Sequence, residues 1–133
     1  MKRILCMTVI AALAGCAVPQ PQGPLPPATP VFFEPWSASL DSHALSAIAS
    51  AAQAAQAAPT APISVIGAAD STGSAQANKY ISETRAQVVS DQLVADGVAS
   101  NRITVHGAGT VSAPVPAGAP AQYSRRVIIQ LGG

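Results

Sequence analysis

Asp70 and Arg85 are the residues of this chain whose types and spacing most invite chemistry. They lie in the stretch ADSTGSAQANKYISETRA, residues 69–86. There a carboxylate sits beside a glycine turn, and a guanidinium sits among the apolar residues of a candidate helix. Only 10% of the chain is charged, so a guanidinium aimed at a core needs a reason. A buried charge is costly unless it is paired or hydrogen-bonded. Two readings stay open on pattern alone. Asp70 and Arg85 form a structural pair that stitches the turn to the helix, or they line a crevice and share a ligand that carries both charges.

The neighbouring elements bear on that choice. On a helix turning about 100° per residue, Asn78, Ser82 and Arg85 share one face, which Val89 and Leu93 continue with Ile81 and Val88 on its flank. The stripe is polar early and apolar late, so its polar end must meet something polar. At the other end of the chain, SRRVIIQL (residues 124–131) reads as a strand, with Arg125, Val127, Ile129 and Leu131 on one side. Arg125 thus reads either as the start of a core-facing row beside the same crevice or, the commoner case, as a solvated arginine at a strand end. Other chemistry is poorly equipped. His43 and His106 have no sequence neighbour that suggests a triad, a metal or a paired acid. A single site carboxylate is unsuited to cutting glycosidic bonds, which usually takes two. No enzyme activity, metal or cofactor is expected.

The elements that must position these residues follow from the rest of the chain. Residues 1–15 open with the basic MKR and continue as a short apolar run whose last three residues, with Cys16 after them, read LAGC. The run is too short for a stable membrane span and has signal-peptide form. LAGC resembles the lipobox of bacterial lipoproteins, which implies cleavage before Cys16 and a lipid on its sulfur. The other cysteine, Cys6, falls in the discarded run, so no thiol is left for a disulfide or a nucleophile. The remaining chain sets Lys79, Arg85, Arg102, Arg125 and Arg126 against Glu34, Asp41, Asp70, Glu83, Asp91 and Asp96, a net charge of −1 with no basic run. Nucleic-acid binding lacks its electrostatic footprint.

Residues 17–30 hold six prolines and read as an extended, semi-rigid tether. A domain of residues 31–133 follows. VFF (31–33) is a short strand stopped by Pro35; Asp41 caps a helix carrying Leu45, Ile48, Ala49 and Ala52; ISVIG (63–67) is a second strand. Ser74 caps the second helix, which ends near Asp96 with Gly97 just past it. RITVHG (102–107) is a third strand, residues 108–122 carry loop chemistry, and the 124–131 strand closes the domain. The expectation is one α/β domain of order βαβαββ, with two helices packed on one small mixed sheet.

Gly67, Asp70, Gly73, Asn78, Ile81-Ser82 and Arg85-Ala86, with the later DGV…RI and SRRV, resemble the pattern of the OmpA-like peptidoglycan-binding domain found in outer-membrane proteins and peptidoglycan-associated lipoproteins. The likeness spans residues 31–131. It implies a ligand, the diaminopimelate of the peptidoglycan stem peptide, whose free end bears an ammonium beside a carboxylate. Arg85 would fork that carboxylate and Asp70 would take the ammonium. The implied site comprises Asp70, Ser71, Asn78, Ser82, Arg85 and Arg125. The family's G-H-T-D is GAAD here, so Ala68 and Ala69 lack side-chain donors, and Ser124 stands where the family has Asn. Pro35 and Trp36 replace an acid that helps line the site; a lone tryptophan is usually core, and the other reading of Trp36 is a compensating wall against the ligand's methylene stem. The resemblance implies an outer-membrane lipoprotein with its domain in the periplasm; Ala17 after Cys16 is not the Asp that holds lipoproteins at the inner membrane. The rival expectation is a module of the same fold that binds an envelope protein.

Overall fold

The computed structural model describes residues 23–110 and 121–132; the leader, Cys16 and most of the expected tether lie outside them. Four strands and two helices follow in the order β1 (Thr29–Phe32), α1 (Ser42–Ala57), β2 (Ile63–Ala69), α2 (Ala75–Ala95), β3 (Ile103–Thr110) and β4 (Arg126–Leu131). This is the expected βαβαββ order. Single turns of 3-10 helix at Ser100–Arg102 and Ala121–Tyr123 lead toward β3 and β4.

The sheet is mixed, ordered β1-β4-β2-β3. β4 runs antiparallel to both β1 and β2, and β2 is parallel to β3. β1 begins at Thr29, inside the segment expected to be tether. Pro30 is tolerated there because β1 is an edge strand, where one row of backbone groups needs no ladder partner. β3 runs three residues further than expected, to Thr110, and β4 starts two residues later, at Arg126.

Both helices cover one face of the sheet, where Val31, Ile63, Val65, Val127, Ile129 and Leu131 meet Ile48, Ala52, Val89 and Leu93. Asp41 caps α1, its carboxylate accepting the Ala44 N–H at 2.7 Å. The buried stripe of α1 is Ala44, Ile48, Ala51, Ala52 and Ala55, while Leu45, expected in that stripe, is 40% exposed. Ile48 and Ala52 lie in the stripe as expected, and Ala44, Ala51 and Ala55 rather than Leu45 and Ala49 complete the buried face. Ser74 caps α2 through the Ala77 N–H. The far end of α2 closes with paired bonds from Gly97 N–H to Val94 and from Val98 N–H to Leu93, both at 3.0 Å, with Gly97 at φ 100°. This is the Schellman arrangement, and the left-handed residue is the expected glycine.

Arg102 ties α1 to β3. Its guanidinium donates to the carbonyl oxygens of Ala55, in the last turn of α1, and of Ala58 and Ala61 just beyond it, at 2.7–3.1 Å.

A crevice where the strands end

Three chain segments converge at one end of the sheet: the turn after β1, the turn after β2, and the residues just before β4. They enclose, with the first half of α2, a crevice of about 160 Å³ lined by Pro35, Trp36, Asp70, Thr72, Asn78, Arg85 and Arg125, among others. α2 reaches this position because two glycines let it lie against the sheet. A methyl group at Gly67 would meet the Ser82 carbonyl oxygen at 1.9 Å, and one at Gly107 would meet Glu83 at 2.3 Å.

Arg85 is 1% exposed, and its partner is not the one the sequence suggested. Nε donates to the Ser37 carbonyl at 2.7 Å and one terminal nitrogen, Nη2, to the Glu34 carbonyl at 3.0 Å. The guanidinium also lies over the Phe33 ring, 5.3 Å from its centroid. Two carbonyl dipoles and a π face thus compensate the charge in place of a carboxylate. Nη1 has no protein acceptor among the described residues, and Arg85 lines the crevice. Burial pulls the Arg85 pKa below the usual guanidinium value; the positive charge of Arg125 lowers it further and Asp70 opposes them.

The Asp70–Arg85 pair is therefore corrected: Asp70 is bridged to Arg125 instead. Arg125 Nη1 lies 3.1 Å from Asp70 Oδ2, and its Nε donates to the Phe33 carbonyl at 3.2 Å. Asp70 Oδ1 accepts the Thr72 N–H at 3.0 Å, an Asx turn. Burial pushes the Asp70 carboxyl up, but the bonds from Thr72 and Arg125 more than reverse this and leave its pKa below the ordinary value. Each carboxylate oxygen retains acceptor capacity beyond these bonds.

The remaining expected site residues divide. Asn78 is 2% exposed, lines the crevice and donates through its amide to Thr110 Oγ1 at 2.9 Å. Ser82 is not in the crevice. Its hydroxyl donates to the Lys79 carbonyl at 2.8 Å and accepts the Gly109 N–H at 2.9 Å, which fastens α2 to β3. Ser71 is exposed on the turn and does not line the crevice. Trp36 does line it, 57% exposed, with its ring against Gly73; a methyl group there would sit 2.5 Å from the indole edge.

Trp36 is held by the turn that also holds Arg85. Ser37 N–H donates to the Glu34 carbonyl at 3.2 Å across Pro35 and Trp36, and Trp36 has φ 53°. Proline followed by a left-handed residue is the order of a type II turn, whose third position favours glycine. A tryptophan there is strained, and the Arg85 bonds to the turn's first and last carbonyls hold it in place. Sequence reasoning missed Thr72, although an Asp two residues before it is a local Asx signal. It also missed Thr110 and the carbonyls of Glu34 and Ser37. These contacts join residues 32 to 51 positions apart, beyond any local pattern.

The sequence profile of the OmpA family matches residues 32–126. Outer membrane protein A of Klebsiella aerogenes is 49% identical over 45 residues, which are 34% of this chain and 13% of that protein. The namesake protein of Serratia marcescens is 45% identical over 49 residues, 37% of this chain and 14% of its own. The matched stretches are thus a small part of those relatives' length. Among solved structures, the peptidoglycan-associated lipoprotein of Burkholderia pseudomallei superposes with a TM-score of 0.68 at 23% identity, covering 77% of this chain and 89% of that one. The C-terminal domain of Helicobacter pylori MotB gives 0.69 at 23% identity, over 78% and 84%. Likeness at this identity speaks for the fold, and the profile match over most of the chain speaks for kinship: the chain belongs to the OmpA family.

Proposed function

We propose that this chain is a non-enzymatic envelope lipoprotein. It is held in the outer membrane by a lipid on Cys16, and its periplasmic domain grips peptidoglycan non-covalently through the diaminopimelate of the stem peptide. The observation that carries the reading is the charge arrangement of the crevice, two guanidiniums and one carboxylate around about 160 Å³. A zwitterionic end group fits it. Its carboxylate takes the open Nη1 of Arg85 with help from Arg125, and its ammonium takes the remaining acceptor capacity of Asp70. Trp36 covers the methylene stem from one side. Ala68 and Ala69, where the family has His and Thr, are buried at 5% and 2% and leave the grip to the charged residues and the turn's backbone.

Sedimentation of the full chain with purified sacculi tests the proposal. Binding is expected, and free diaminopimelate should release it. A chain that stays in the supernatant, or sediments without responding to diaminopimelate, points instead to an OmpA-fold module for an envelope protein.

A further inference from the structure

A second cavity, of about 420 Å³, adjoins the crevice. The two share the Glu34–Ser37 turn as a wall: Pro35 and Trp36 line the crevice, while Glu34 and Ser37 line this groove. Its floor is aromatic. The rings of Phe32 and Tyr123 meet edge to face, 5.6 Å apart at 76°, and are 42% and 43% exposed. Its rim carries the carboxylates of Glu34 and Asp41, the imidazole of His43, the amide of Gln122 and the hydroxyl of Ser39, and no lysine or arginine.

That lining selects by charge. Two carboxylates with no lysine or arginine among the lining residues disfavour phosphates and carboxylates, so neither an anionic headgroup nor the acidic part of a stem peptide belongs there. An apolar ring corner bordered by hydrogen-bonding groups fits a neutral ring with one C–H face and many hydroxyls, and the volume is in the range of small-molecule sites. Asp41 uses one oxygen to cap α1 and keeps the other for such a ligand, while the Glu34 carboxylate has no protein partner among the described residues. We propose that this groove seats an N-acetylated amino sugar of the glycan strand whose stem peptide occupies the crevice. The inference rests on the peptidoglycan reading above. A stem peptide links diaminopimelate to its sugar through a few residues, about 10 Å when extended, and only a four-residue turn separates the two cavities.

Calorimetry on the full chain in detergent tests it with three probes: the disaccharide of N-acetylglucosamine and N-acetylmuramic acid with its lactyl carboxyl amidated, hence neutral as the stem-peptide linkage leaves it, the stem peptide alone, and the muropeptide that joins them. The muropeptide should bind about tenfold more tightly than the stem peptide. Tyr123→Ala should cancel that gain and Tyr123→Phe should keep it, with melting curves confirming that both variants fold. Equal affinities for muropeptide and stem peptide, or a gain that survives Tyr123→Ala, overturn the groove and leave the crevice reading standing. If the stem peptide fails to bind, the crevice reading falls instead. The disaccharide alone then decides the groove: binding that needs Tyr123 supports it, and no binding overturns it. A groove that ignores both sugars yet cross-links to an envelope protein is a protein contact, which also overturns the proposal.

Discussion

Truncating Arg85 to Ala removes more than a side chain that lines the crevice. It strands the Ser37 carbonyl, removes one of the two donors to the Glu34 carbonyl, leaves a cavity beneath Phe33 and loosens the turn that carries Trp36. A loss of about 3 kcal/mol in unfolding free energy is expected together with loss of wall binding. Asp70→Asn differs, because its carboxylate is part-exposed and Arg125 keeps a second acceptor in the Phe33 carbonyl. It should abolish sedimentation with sacculi at a stability cost of about 1 kcal/mol, which a melting curve beside the pull-down resolves. Asp70 also sets an acid limit. Its folded pKa lies below the unfolded value of about 3.9, so its stabilising contribution is fully present above that value. The contribution fades as pH falls through the lower, folded pKa. The stability difference between wild type and Asp70→Asn should therefore be flat from neutral pH down to about 4.5 and shrink only below about 4; a difference that collapses between pH 6 and 5 contradicts the assigned bonds. The sequence exposed the importance of these two residues but not their partners. Spacing reports which residues share a helix face, whereas Arg85's carbonyl partners lie on a distant turn and Asp70's cation lies 55 residues away.

Helix α2 and the turn after β1 are built so that each positions the other. Gly67 marks where α2 crosses β2, and Gly67→Ala puts a methyl group into the Ser82 carbonyl. Helix and strand must then separate, with an expected cost above about 3 kcal/mol; a well-folded Gly67→Ala chain would refute the close approach. Gly73 is subtler. Alanine there is strained at φ 93° and collides with the indole of Trp36, but Arg85 and its carbonyls are not touched. Gly73→Ala should thus move the chain's only tryptophan, shift its emission and weaken diaminopimelate binding by several-fold while the core survives. Unchanged fluorescence would mean that the indole does not rest on this glycine. The same element explains what was legible. Caps at Asp41 and Ser74 and the Gly97 stop are local chemistry and could be read directly, as could the stripe of α2. The α1 stripe could not, because in an alanine-rich helix several faces look alike and packing chooses among them. Ser82 fell on the right face for the crevice, yet its hydroxyl is consumed by β3, a contact that exists only once the sheet has formed.

Strand register places the crevice and the point where the chain enters the domain at opposite poles of the sheet. Thr29 pairs with Ile129 and Ile63 with Leu131 at one end of the sheet, while Phe32 pairs with Arg126 and Gly67 with Val127 at the other. The crevice lies beyond the second end. The chain arrives at the first, where Leu25 packs against Gly132 and Pro24 and Pro26 border α1. Strands of this length separate the poles by about 20 Å. The segment expected to be free tether is therefore shorter than its proline run suggests, since residues from Gly23 onward already border the domain. From Cys16 to Gly23 an extended chain spans roughly 20 Å, so a lipid at Cys16 would keep the domain close to the bilayer with its crevice facing away. On the proposed function one molecule would then link membrane and wall, and anchoring and wall binding should separate by mutation. Cys16→Ser should lose acyl label and membrane partitioning yet sediment with sacculi as well as wild type does. Asp70→Asn should partition into membranes normally and fail to sediment. Only the unaltered chain should drag lipid vesicles down with sacculi, because bridging needs both ends of a single molecule, and an equal mixture of the two variants should not restore it. Bridging by that mixture would mean that separate copies share the work through self-association, and the opposed poles of one domain would not be what links the two layers.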